Sequence, residues 1–120
     1  MFGADYESVR NFSDGYGLST EQRNAFRRAY AERVEDKRDP YLSPLYAKSH
    51  AGLPPALVVT AGFDPLTDSA KAYVARLRAA GVPVTDVDYP DVFHGFMSIR
   101  FFPQRRDALT RTAGFLSGAD

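Results

Sequence analysis

The sequence has no cysteine and only two histidines, His50 and His94, in 120 residues. Without cysteine there is no disulfide framework, thiolate zinc site or sulfur nucleophile, and two imidazoles leave little for a metal centre. Neither a metal nor a cofactor is expected. Excess charge of one sign is also missing, since fifteen Lys and Arg balance fifteen Asp and Glu. No net field draws the chain to nucleic acid or to an anionic membrane surface. Long hydrophobic runs are lacking too. The longest, Ala56 to Ala61, is too short for a membrane span, and Met1-Phe2-Gly3-Ala4-Asp5 has neither the basic residues nor the apolar stretch of an export signal. These absences predict a soluble, cytoplasmic chain with no nucleic-acid partner.

What is present is an ordinary globular composition, 44% hydrophobic and 25% charged. A compact domain of this length buries about two thirds of its unfolded surface, so one core and one domain form the ceiling. Residues 1 to 17, broken by Gly3, Gly15 and Gly17, show no period and are expected to be a loop or arm. Ser19 followed three residues later by Gln22 makes a capping box, so a helix should begin at Thr20. Ala25, Phe26, Ala29, Tyr30 and Val34 follow helical steps and predict a half-buried amphipathic helix. Its arginines alternate with Glu21, Glu32, Glu35 and Asp36, which marks a solvated face and not a phosphate site. Residues 36 to 55 carry Pro40, Pro44, Pro54 and Pro55 and predict an ordered connector.

The run Ala56-Leu57-Val58-Val59-Thr60-Ala61, closed by Gly62, has the pattern of a strand covered on both faces in a parallel sheet. Ala70, Tyr73, Val74 and Leu77 then mark a helix face, with Asp68 as its expected N-cap and Gly81-Val82-Pro83 as its stop. A second strand follows at Val84 to Tyr89, its Asp86 and Asp88 giving one wetter face. The last helix runs from about Pro103 to Leu116, with Ala108, Leu109, Thr112, Ala113 and Leu116 on one side. The fold class is α/β, built on one βαβ unit. Two parallel strands are too few for a stable sheet, so the sheet is incomplete.

Chemistry belongs at the carboxyl ends of the strands. The first is followed by Phe63-Asp64-Pro65-Leu66-Thr67-Asp68 and the second by Phe93-His94-Gly95-Phe96-Met97. Asp64 is either a turn-forming Asp ahead of Pro or a functional carboxylate. His94 sits where the crossover brings the two loops together, with Gly95 permitting close approach and Phe93 and Phe96 excluding water. An Asp–His pair is the expectation, against the alternative of a surface or satisfied core histidine. His50 has no such context and reads as a loop residue.

These segments, with Ala79-Ala80-Gly81-Val82-Pro83-Val84, Tyr89-Pro90, Gly15-Tyr16-Gly17-Leu18-Ser19 and Asp39-Pro40-Tyr41-Leu42-Ser43-Pro44-Leu45, resemble the C-terminal part of the hormone-sensitive-lipase-like carboxylesterases of the α/β-hydrolase fold-3 group. The likeness runs from about Ser8 to Leu116. It implies a Ser–Asp–His triad in that chain order, with Asp64 as the acid and His94 as the base. It also implies that residues 8–50 are a cap-type helix and connector and that 51–118 are a C-terminal βαβα segment; Phe96 and Met97 would either line the substrate pocket or serve as structural filler.

The departure from that family is chemical. Gly-x-Ser-x-Gly occurs around none of Ser8, Ser13, Ser19, Ser43, Ser49, Ser69, Ser98 or Ser117, and no His-Gly-Gly oxyanion loop is present. The nucleophile is therefore none of this chain's residues. The expected function is a C-terminal segment of a carboxylic-ester hydrolase acting on small-molecule esters. It should be inactive without an N-terminal half that supplies the serine and the oxyanion donors. The rival readings are a non-catalytic module that binds a partner or self-associates through exposed sheet surface, and a segment of a prolyl-oligopeptidase-like peptidase.

Overall fold

In the computed structural model, residues 5–31 and 38–118 are described. The two β-branched runs pair as parallel strands, β1 (Ala56–Phe63) and β2 (Val84–Phe93), each longer at its carboxyl end than the sequence pattern predicts. Before them come α1 (Glu7–Phe12), α2 (Thr20–Ala31) and a 3-10 turn at Pro44–Tyr46. Between them runs α3 (Thr67–Ala79), and after them a second 3-10 turn at Phe96–Ser98 and α4 (Pro103–Ser117).

Strand alternation sends successive side chains to opposite faces. On one face, Ala61, Tyr89, Val92, Phe96 and Ala108 form a buried cluster flanked by Val59, Val87, Met97 and Phe102, which seats α4. On the other, α3 buries Val74 and Leu77 and meets the acidic positions of β2. Lys71 Nζ lies 3.2 Å from Asp88 Oδ2, and Thr60 Oγ1 donates to Asp88 Oδ1 at 2.8 Å. The wetter face of β2 is thus the face that α3 covers.

The register changes near the carboxyl ends. Ala61 pairs with Tyr89 and Phe63 with Phe93, so one residue of β1 stands against three of β2. Gly62 makes this bulge possible, because a Cβ there would lie 2.1 Å from the Pro90 carbonyl oxygen. No side chain fits at that approach.

Three expectations are corrected. Residues 7–12 are helical and not a loop, and α1 is held by a contact that local pattern does not reveal. Asp68 does not cap its own helix, for α3 starts at Thr67 with no side-chain cap. Its Oδ2 instead accepts the Ser8 N–H of α1 at 2.8 Å, while Ser8 Oγ accepts the Asp68 N–H of α3 at 3.3 Å. The two helices cap each other. Third, the predicted half-burial of α2 does not occur. Its capping box forms in both directions, Gln22 N–H to Ser19 Oγ at 3.1 Å and Ser19 N–H to Gln22 Oε1 at 2.9 Å. Yet Phe26 is 66% and Tyr30 77% exposed, because no described element packs on that face. Val34 and the acidic residues near it lie outside the described residues.

The connector forms successive turns over 38–55, tied by Leu42 N–H and Ser43 N–H to the Asp39 carbonyl. His50 is a buried loop residue there. Its Nε2 is 3.0 Å from the Pro44 carbonyl oxygen and its ring meets Tyr73 edge-on at 5.5 Å. The Cα radius of gyration is 15.2 Å, against about 13.6 Å for a compact domain of this length. Among the described residues, no helix is long and apolar enough to cross a membrane.

Candidate active site

The last paired residues of the sheet are Phe63 and Phe93. The next residue on each strand is Asp64 and His94, so the bulge sets these two side chains abreast. Asp64 Oδ2 lies 2.8 Å from His94 Nδ1. The contact joins positions 30 residues apart, as the βαβ crossover predicts.

Asp64 forms the turn expected of an Asp ahead of Pro, and its two oxygens have different partners. Oδ1 accepts the Leu66 N–H at 2.8 Å, an Asx turn that Pro65 pre-forms, and the Asp64 carbonyl accepts the Thr67 N–H at 3.1 Å. This fixes the carboxylate plane and leaves Oδ2 for the imidazole. Thr67 adds a tie that the sequence reading missed, donating its buried hydroxyl to the Ala61 carbonyl. An Asp-Pro-x-Thr turn after a strand carries the signal, since its Thr can reach back to the strand end.

His94 is held from the other side. Phe93 packs edge-on against Phe102 at 5.2 Å, and Phe96 lies 5.2 Å from Tyr89 within the α4-side core. Gly95 between them has φ +82° and nothing within 4 Å of its Cβ position. Its role is the left-handed turn and not the close approach that the sequence suggests. Met97 sits at the core edge, where its carbonyl accepts Arg105 Nε–H at 2.9 Å.

The Asp64 side chain is 14% exposed and that of His94 38%. The carboxylate is therefore sheltered while the imidazole has an open side. With Nδ1–H donated to Asp64, Nε2 is the ring's free acceptor, and it has no hydrogen-bond partner among the described residues. Such an imidazole can take a proton from a hydroxyl presented to it and return it to a leaving group. A group of three or more His, Asp or Glu side chains able to hold a metal ion does not occur among the described residues.

Residues 2–98 match the model of a family described as the alpha/beta hydrolase fold. The chain is 41% identical over 100 residues to the carboxylic ester hydrolase LipN of Mycobacterium tuberculosis, which covers 82% of this chain and 26% of that protein. It is 39% identical over 64 residues to the hormone-sensitive lipase of Ictidomys tridecemlineatus, covering 52% of this chain and 8% of the lipase. Among solved structures, it is similar to the ester hydrolase EH1AB1 from the metagenome of Lake Arreo, with a TM-score of 0.91 and 40% identity over 98% of this chain and 38% of that one. The chain thus spans well under half the length of the proteins it matches. Two parallel strands, the helices on both their faces and the sequence likeness agree: this chain belongs to the α/β-hydrolase fold family, and the relatives it resembles there are carboxylic ester hydrolases and hormone-sensitive lipase.

Proposed function

We propose that this chain supplies the acid and the base of a Ser–Asp–His triad that hydrolyses small carboxylic esters, the serine coming from an N-terminal half of the hydrolase. The observation that carries the reading is the 2.8 Å contact of Asp64 Oδ2 with His94 Nδ1 at adjoining strand ends, which leaves Nε2 available. In this reading Nε2 takes the serine proton as the hydroxyl attacks the ester carbonyl. Asp64 stabilises the imidazolium, which then protonates the departing alcohol. Water then gives a proton to Nε2 as it attacks the acyl-serine ester left behind, and the imidazolium returns that proton to the serine oxygen as the carboxylic acid leaves.

The uncovered surfaces support a partner half. Phe26 and Tyr30 on α2, together with Leu109 at 40% and Leu116 at 78% exposure on α4, present apolar area that the described elements leave bare. Their positions suit α2 as part of a cap and α4 as a helix against a wider sheet. Of the two candidate pocket residues, Phe96 lies in the α4-side core at 4% exposure, where it anchors the turn that carries His94, and Met97 is the nearer to the surface.

The test is a graft. The chain replaces the matching segment of a related esterase that carries Gly-x-Ser-x-Gly, and turnover of a short-chain p-nitrophenyl ester is followed. The chain alone should be inert, while the graft should turn over ester and lose that activity on His94→Ala. An active graft indifferent to His94→Ala removes the reading. A well-defined oligomer of the chain alone, joined to an inactive graft, favours a non-catalytic binding module instead.

A further inference from the structure

One segment touches the chain around both members of the pair. Ser8, only 4% exposed, donates its hydroxyl to the carbonyl of Pro65 at 3.0 Å, the residue that follows Asp64. The same residue exchanges two further hydrogen bonds with Asp68, so three bonds fasten the 65–68 turn to α1. Phe63, the residue before Asp64, stacks on Tyr16 with ring centroids 5.4 Å apart and planes 8° from parallel. Phe12 meets both rings edge-on, at 5.4 and 5.6 Å.

The other end of the segment bears on the histidine. Gly17 has φ +87°, and a Cβ there would stand 3.0 Å from the Phe93 ring and 3.2 Å from the His94 carbonyl oxygen. The loop is pinned at its ends by the Thr20 N–H to Ser13 carbonyl bond at 3.1 Å and by Leu18, 7% exposed. It therefore cannot back away from the His94 turn at no cost.

We propose that the segment from Ser8 to Leu18 is a brace that sets the geometry of the Asp64–His94 pair, with Ser8 and Gly17 as its positioning residues. The inference rests on the reading of that pair as acid and base. Ser8 holds the carboxylate turn through Pro65, and Gly17 fixes how closely the loop lies against the imidazole's backbone. The margin is small. A hydrogen bond of 2.8 Å leaves good geometry by about 3.2 Å, and a methyl at Gly17 demands a shift of a few tenths of an ångström from its neighbours. The two displacements are comparable.

The readout is the tautomer of His94, which needs no turnover. In the 120-residue chain labelled with nitrogen-15, long-range proton–nitrogen correlations at alkaline pH report the fraction of neutral ring carrying its proton on Nδ1, with the His94 signals assigned by their loss in His94→Gln. The wild-type chain should hold mainly the Nδ1–H form. Gly17→Ala and Ser8→Ala should each lower that fraction roughly twofold or more, as the carboxylate loses its grip on the tautomer. Ser8→Thr, which keeps the hydroxyl, should retain it. Gly17→Ala alone decides the matter if Ser8→Ala fails to fold. A wild-type tautomer in Gly17→Ala and Ser8→Ala, with the preference abolished in Asp64→Asn, overturns the brace alone. A tautomer unmoved by Asp64→Asn overturns the pair and the brace with it.

Discussion

The Tyr89 hydroxyl donates to Asp107 Oδ2 at 2.6 Å, and Arg111 Nε donates to the same oxygen at 2.8 Å. This junction bolts β2 to α4 above the core cluster. Burial and then the hydrogen bond to Asp107 push the Tyr89 phenol up to about 12. The hydrogen bonds from Tyr89 and then Arg111 hold the Asp107 carboxyl below its ordinary range.

Stability should therefore fall at both ends of the pH scale. The unfolded phenol ionises near 10 while the native one resists until about 12, so its contribution is whole below 10 and fades across that interval. Asp107 acts oppositely: its contribution is present above the ordinary carboxylate pKa and fades as pH falls through its lowered value. Tyr89→Phe should cost about 1 kcal/mol at neutral pH and flatten the alkaline decline. Urea melts at neutral and alkaline pH check both; an alkaline decline unchanged in Tyr89→Phe would refute the assignment.

The mutual caps predict non-additivity. Ser8→Ala and Asp68→Ala each remove a cap worth about 1 kcal/mol. Each side chain bonds the other residue's backbone N–H, and both bonds depend on the same docking of α1 against α3. Once one is lost the helices can part, so the double substitution should cost clearly less than the two singles together. Additive losses in denaturant melts would show that each group acts alone.

Gly62→Ala should be among the most damaging single substitutions. The atom in the way is the backbone oxygen of Pro90, which has no rotamer to adopt. The expected loss is at or beyond the upper end of the about 1–3 kcal/mol that overpacking costs. Thermal melting measures it, and a melt like that of the parent would mean the strands part more freely than their register implies.

Asp64→Asn in the grafted enzyme should keep the fold while lowering kcat by about 10⁴-fold, with KM little changed. Asn can still accept the Leu66 N–H through its carbonyl oxygen, so the turn survives and the wrong tautomer of His94 carries the loss. Steady-state kinetics beside a melting curve separate the two effects.

The elements legible in the sequence were those written in local chemistry. The Ser19 and Gln22 box, the stop at Gly81 and the proline at the head of α4 each name their partner within a few residues. The placement of Asp64 and His94 spans 30 positions and was still legible, because it follows from strand ends and a crossover. What escaped depends on distant residues. Six residues of α1 carry too little periodicity to announce a helix, and Asp68, which caps it, stands 60 positions away. Patterning on α2 was present and still misled: Phe26 and Tyr30 keep helical spacing, while burial requires a second surface to meet them.

The surplus residues of β2 between Tyr89 and Phe93 have one more consequence, for lengths of chain. Side chains on a strand change sides at every step, so removing one residue from Pro90–Val92 would turn His94 away from Asp64 without altering either of them. Removing two would restore the phase while erasing the arch that crosses Gly62. In this segment a single-codon deletion is a harsher event than most exchanges of one side chain for another.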